Sequence, residues 1–119
     1  MKALYRMQAE FLKTVANPKR LAILDLLRNG RSSVTDLARA MELPLASVSQ
    51  ELAPLRTAGI VWTQREGKTV YYGLASPKAQ RACDLMAEAM REVESGRASV
   101  MDDRGQRPEV FFPRSKQRA

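Results

Sequence analysis

Histidine does not occur among the 119 residues, and cysteine occurs once, at Cys83. Without histidine, no Cys–His or Ser–His nucleophilic pair can be assembled. A Cys/His metal site is excluded on the same ground. A single cysteine rules out an internal disulfide. No apolar run approaches the roughly 18 residues of a membrane span, and the N-terminus lacks the basic-then-apolar pattern of a secretory signal. A glycine-rich phosphate loop and a recognisable spacing of paired carboxylates are both missing. These absences predict a cytoplasmic protein away from membranes, not an enzyme, with no cofactor and no resident metal.

What is present in excess is positive charge. The chain carries 20 Lys and Arg against 13 Asp and Glu, a net +7. Residues 1–95 hold 14 basic and 10 acidic groups, net +4, and residues 96–119 hold 6 and 3, net +3. Clustered Lys and Arg favour nucleic acid, because neutralising phosphates releases counterions. The length suits one domain, expected over 1–95. From Gly96 on, Arg, Asp, Gly, Pro and Ser dominate, so 96–119 is expected to be a basic, disordered tail, with Val110-Phe111-Phe112 as its one apolar run.

Along the chain, helical spacing dominates first. Leu4, Met7 or Gln8, Phe11 and Val15 predict a helix over 1–16. Asn17-Pro18 reads as a cap followed by proline at the first helical position. A second helix follows, with Leu21, Ile23, Leu24, Leu26 and Leu27 expected inside and Asn29-Gly30 as its stop. Ser33-Val34-Thr35-Asp36 is patterned as a capping box, and Val34, Leu37, Ala38 and Met41 give the stripe of a short third helix. After Glu42-Leu43-Pro44 comes a fourth helix, ended by Gly59. Two short helices joined by a tight turn make a helix-turn-helix. The period then changes to two. Residues 61–65 and 69–74 predict strands around a turn at Glu66-Gly67-Lys68, which is a wing. Ser76-Pro77 opens a last helix to about Ser95, striped by Ala79, Ala82, Cys83, Met86, Met90 and Val93. The expected fold is mainly α with a β-hairpin, a winged helix-turn-helix in the order α1-α2-α3-α4-β1-β2-α5.

The fourth helix has two unlike sides. Leu45, Val48, Leu52 and Leu55 share a core-facing side. Ala46, Ser47, Gln50, Ala53, Pro54 and Thr57 share the other, with Ser49 on its flank. Small residues allow close approach to base edges in a major groove, and Ser and Gln both donate and accept hydrogen bonds there. Ser47, Ser49 and Gln50 are the candidate readers. Arg56 is placed to reach a phosphate, Arg65 and Lys68 in the wing to touch backbone or minor groove, and Thr35 to donate to a phosphate. The partner expected from this set is double-stranded DNA.

Three segments together resemble the ArsR/SmtB family of bacterial repressors over roughly residues 5–93. They are Ala16-Asn17-Pro18-Lys19-Arg20-Leu21-Ala22-Ile23-Leu24; Val48-Ser49-Gln50-Glu51-Leu52 with Leu55-Arg56-Thr57-Ala58-Gly59-Ile60-Val61; and Arg65-Glu66-Gly67-Lys68 with Tyr71-Tyr72-Gly73-Leu74. The resemblance implies a homodimer through the first and last helices, bound to a palindromic operator and released by an inducer. Three departures stand out. Glu51 occupies a position where the family often has histidine; it could repel phosphate, read a cytosine amino group or pair with an arginine. Pro54 lies inside the recognition helix and removes the bond to the Gln50 carbonyl. Positions matching the family's metal ligands in the last helix are Ser76, Lys78, Ala89 and Glu92, which cannot hold the family's metals, and paired cysteines near the third helix are missing. Cys83 is then the candidate sensor, through cross-linking, oxidative modification or a soft ion, against the alternative of a small core residue. The rival function is a winged-helix dimer that acts through a protein partner, without DNA specificity of its own.

Overall fold

A computed structural model describes residues 2–96. The expected tail from residue 97 on, including Val110-Phe111-Phe112, lies outside the described residues. The order is α1 (Lys2–Val15), α2 (Pro18–Leu26), β1 (Ser32–Ser33), α3 (Val34–Met41), α4 (Leu45–Thr57), β2 (Val61–Glu66), β3 (Thr69–Leu74) and α5 (Pro77–Ser95). One compact unit runs to Gln80, and a second begins at Arg81.

Local chemistry sets the helix ends of the first unit. The Asn17 side chain accepts from the Lys19 and Arg20 amides at 2.8 and 3.2 Å, and Pro18 supplies the first helical residue of α2. Ser33 Oγ accepts from the Asp36 amide at 3.1 Å. The return half of the capping box is replaced. The Asp36 carboxylate, one methylene shorter than the usual glutamate, accepts from Arg39 instead, at 2.9 Å. Both helices of the helix-turn-helix end in the same motif. After α4, the Ile60 amide donates to the Leu55 carbonyl and Gly59 to that of Arg56, both at 2.9 Å, with Gly59 at φ 76°. After α3, Leu43 donates to Ala38 at 3.0 Å and Glu42 to Arg39 at 3.2 Å, but the left-handed residue is Glu42, at φ 54°. These are Schellman closures, and the second lacks the glycine that makes the conformation cheap.

The core is built from α2, α3, α4 and the strand that follows. Ile23, Leu24 and Leu27 meet Leu37 and Ala38, with Val48, Leu52 and Leu55 of α4 and Val61 of β2 closing over them. Each fully buried aliphatic side chain contributes about 1.5–3 kcal/mol relative to exposure. The α4 helix packs on α1, α2, α3 and β2, so the whole unit fixes its direction. Three leucines expected inside are outside: Leu21 and Leu26 are 41% and 40% exposed, and Leu45 is 49% exposed. At 100° per residue Leu21 and Leu26 fall at the margin of the α2 core stripe, while Leu45 shares the inner side of α4 but is that helix's first residue. On α1 Val15 is buried and Phe11 and Thr14 are half-buried, while Leu4 and Met7 are exposed.

The sheet has three strands in the order β1-β3-β2, all antiparallel. The two-residue strand β1 pairs Ser32 with Tyr72 and Ser33 with Tyr71. Two residues carry no period-two signal, so it is invisible in the sequence. The hairpin is tighter than expected. Glu66 pairs with Thr69, leaving Gly67-Lys68 as a two-residue loop with the positive φ on its first residue, the pattern of a type II′ turn. Across the hairpin Trp62 lies over Gly73, and a Cβ on Gly73 would overlap the indole ring.

The α5 helix opens with the Ala79 amide donating to Ser76 Oγ at 3.2 Å. Along its length Cys83, Met90 and Val93 are half-buried, Ala82 is exposed, and Leu85 and Met86 are 63% and 39% exposed.

Candidate nucleic-acid interface

The outward side of α4 is small and uncharged. Ala46, Ser49, Gln50, Ala53 and Thr57 are exposed along it, and Pro54 is half-buried within an unbroken helix. Of the three predicted readers, Ser49 and Gln50 are exposed and Ser47 is half-buried beside Val48. Pro54 has no amide hydrogen, so the Gln50 carbonyl lacks its usual helical donor.

Glu51 is the one acidic residue of α4, and its environment is specific. Its Oε1 accepts from Arg20 Nε at 2.9 Å, with the two side chains only 18% and 23% exposed. The same guanidinium donates through Nη1 to the Thr14 carbonyl at 2.8 Å. Arg20 therefore ties the end of α1 and the start of α2 to the middle of the recognition helix. Of the three roles open to Glu51 in the sequence, the structure selects pairing with an arginine. The carboxylate is turned inward and neutralised, so the outward side keeps no negative charge. Arg20 itself carried no functional signal in the sequence. The partners are 31 residues apart, and only the fold brings them together.

The phosphate candidates are spread over α4, the wing and α3. Arg56, Arg65 and Lys68 are exposed, as is Thr35 in the first turn of α3. Among the described residues Arg56 and Lys68 enter no ion pair, so both charges are available to a polyanion. Arg65 Nε donates to the Gly67 carbonyl at 3.2 Å, which curls it over the turn of the wing. Thr35 is separate from the wing residues in sequence but shares the helix-turn-helix with α4.

A second arginine was also missed. Arg31 donates to Gln64 Oε1 at 2.8 Å and to Glu66 Oε2 and Oε1 at 2.8 and 3.1 Å, and its guanidinium lies 4.0 Å from the Tyr71 ring centroid. It fastens the segment before β1 to both strands of the wing. The bidentate bond from Arg31 holds the Glu66 carboxyl below its ordinary value, and Glu66 in turn raises Arg31. The wing's carboxylate is thus spent on Arg31, leaving Arg65 and Lys68 as its outward charges.

Cys83 lies in the second unit, half-buried. Burial, and then the neighbouring Asp84 charge, push its thiol above the ordinary value. That leaves less thiolate at neutral pH, the reverse of the setting that activates a cysteine.

The family described as "Bacterial regulatory protein, arsR family" matches residues 17–63, from the cap of α2 into β2. An HTH-type transcriptional regulator of Mycobacterium tuberculosis is 36% identical over 101 residues, covering 84% of this chain and 89% of that protein. The homodimeric winged helix-turn-helix DNA-binding domain of a Mycobacterium bovis protein superposes with a TM-score of 0.72 at 32% identity, over 83% of this chain and 92% of that one. HlyU of Vibrio cholerae superposes with a TM-score of 0.69 at 35% identity, over 75% and 97% of the two chains.

Proposed function

The chain belongs to the ArsR family of bacterial transcriptional regulators, and from that premise we propose that it is a homodimeric repressor that reads a palindromic operator through α4 and the wing. The observation that carries this reading is the inward pairing of Glu51 with Arg20, which leaves a small, neutral outward side on α4, with Arg56 exposed on the same helix and Lys68 exposed in the wing. Ser49 and Gln50 contact base edges, with Ser47 at the margin. Arg56, Arg65, Lys68 and Thr35 hold phosphates and set the register.

Dimerisation supplies the second recognition helix and the half-site spacing. Support comes from apolar surface on both helices concerned. In α1, Leu4 and Tyr5 are 55% and 56% exposed and Leu12 49%. In α5, Leu85 and Met86 are exposed. Large apolar side chains left open on two amphipathic helices are suited to a partner surface. Operator release is assigned to an effector whose chemistry is not the family's His and Asp metal set. Cys83 is the thiol available to such chemistry, and its raised pKa favours a packing role in the resting protein.

The rival reading, action through a protein partner, drew on Glu51 and Pro54. Both are accounted for within the chain, Glu51 by Arg20 and Pro54 by a helix that continues through it. The test is fluorescence anisotropy with DNA from upstream of the protein's own gene and a scrambled duplex, at two salt concentrations, for wild type and Cys83→Ser. Tighter binding to the upstream duplex, with affinity that falls as salt rises, is expected for both proteins. Equal, weak binding to both duplexes would refute direct reading.

A further inference from the structure

Of the four helices that lie wholly in the first unit, α1 is the least anchored. Of its 14 residues Val15 alone is buried, with Phe11 and Thr14 half-buried and the rest exposed. A cavity of about 450 Å³ lies between Arg6, Met7, Glu10 and Phe11 of α1 and Ala58 and Ile60 beyond the end of α4. Only Ala16 and Asn17 separate α1 from α2. A helix held at one end above a two-residue joint pivots unless a side chain spans the joint.

Arg20 spans it. The side chain leaves α2, donates through Nη1 to the Thr14 carbonyl at 2.8 Å, and donates through Nε to Glu51 Oε1 at 2.9 Å. Thr14 is in the last turn of α1, where carbonyls have no partner within the helix. The Arg20 amide is pinned in turn by Asn17 Oδ1 at 3.2 Å. One planar guanidinium therefore holds the end of α1 and the middle of α4 in a fixed relation. The lever it controls is long. From Val15 back to Leu4 the helix rises about 17 Å, so a pivot of about 10° moves Leu4 by about 3 Å. That is close to the rise of one base pair, about 3.4 Å. Leu4, Tyr5 and Leu12 belong to the surface given above to the dimer, and Ser49 and Gln50 to the reading side of α4. The angle between α1 and α4 thus enters the separation of the two recognition helices.

We infer that Arg20 is a positioning residue: by joining Thr14 to Glu51 it fixes the angle between α1 and α4, and with it the half-site spacing that the dimer accepts. This role rests on the dimeric, DNA-reading protein proposed above, and it is distinct from neutralising Glu51. Lysine separates the two. Arg20→Lys keeps a cation opposite Glu51, but an ammonium has no planar fork to hold two acceptors in one geometry.

The test has two arms. In the first, the free dimer carries one spin label per protomer at Ala46→Cys in a Cys83→Ser background, and the label-to-label distance is measured by double electron–electron resonance. Ala46 is exposed at the start of α4. One narrow distance is expected with Arg20, and a distribution about twice as broad with Arg20→Lys. In the second arm, unlabelled protein binds palindromic duplexes built from the half-sites of the upstream DNA, with one base pair added or removed between them, and a duplex holding a single half-site. With Arg20 an added base pair, which also turns one half-site by about 35°, should weaken binding about tenfold. Arg20→Lys should reduce that penalty to about threefold and change single half-site affinity by less than about twofold. Equal distance widths, or equal spacing profiles, in the two proteins overturn the inference. So does a loss on the single half-site as large as that on the full operator, which makes Arg20 a fold contact alone. A wild type with no label-to-label distance overturns the dimer, and this inference with it. A wild type that binds upstream and scrambled duplexes alike overturns the DNA reading, while the first arm still decides the angle.

Discussion

Arg20 and Glu51 form a part-buried ion pair that turns the one carboxylate of α4 away from the proposed reading face. With both side chains less than a quarter exposed, removing one partner strands a charge in a poorly solvated place. Arg20→Ala should lower stability by about 1–3 kcal/mol and weaken operator binding, because the freed carboxylate then sits on a helix that faces phosphates. Glu51→Gln should cost less, and the double variant Arg20→Ala/Glu51→Gln less than the two single effects together. A double-mutant cycle from urea midpoints, at one fixed protein concentration, measures the coupling. Additive effects would mean that the pair is a surface contact of no consequence. Glu42 offers the opposite sign. A glutamate at φ 54° bears a left-handed backbone that glycine adopts freely. Glu42→Gly should therefore raise stability by roughly 1 kcal/mol, read as a higher urea midpoint with an unchanged slope. Neither residue announces this in the sequence. Nothing near Arg20 marks its partner 31 residues on, and Glu42 looks like an ordinary turn residue.

Elements were easier to read than contacts. The caps at Asn17 and Ser33, the stop at Gly59 and the change of period after Ile60 are local chemistry, and each lies where the sequence puts it. Helical spacing also identified Val48, Leu52 and Leu55 as the inner side of α4. It could not tell core from a second apolar surface, which is why Leu21, Leu26 and Leu45 were expected inside. It also had no access to β1, whose strand character comes entirely from pairing with Tyr71 and Tyr72. The wing depends on two devices of this non-local kind. Trp62 covers Gly73, so Gly73→Val should displace the indole, red-shift its fluorescence and cost about 1–3 kcal/mol. An unshifted emission maximum would show that the ring does not rest there. Arg31 grips Glu66, whose pKa lies below its ordinary 4.5. A lowered carboxylate stabilises the fold fully above its unfolded value and loses that contribution as pH falls through the folded value. The wing amides near Glu66 should thus stay native-like at pH 5 and above and titrate at a pH below 4.5, as seen by NMR. Glu66→Gln should abolish that titration. A midpoint at or above 4.5 would mean that Arg31 does not hold the carboxylate.

For the whole molecule the deciding quantity is how affinity divides between charge and sequence. The net +7 includes the charged residues from 97 on as well as those of the winged helix, so total charge alone predicts attraction to any duplex. In the function proposed above, selectivity rests on the neutral side of α4, where the exposed Ser49 and Gln50 would discriminate between bases that the cations cannot tell apart. The two contributions separate experimentally because counterion release follows phosphate contacts alone. In a dimer, Lys68→Ala or Arg56→Ala removes two phosphate contacts. Each should flatten the dependence of log affinity on log salt by about 2, at about 0.9 per contact, while leaving the preference for operator over scrambled duplex intact. Gln50→Ala should do the reverse, keeping the salt slope and losing about 1–3 kcal/mol of preference per half-site. Anisotropy titrations at four salt concentrations on both duplexes yield both numbers for every variant. If Gln50→Ala flattened the slope and spared the preference, Gln50 would be a backbone contact. Reading would then have to rest on Ser49, on Ser47 at the margin, or on the shape of the DNA itself.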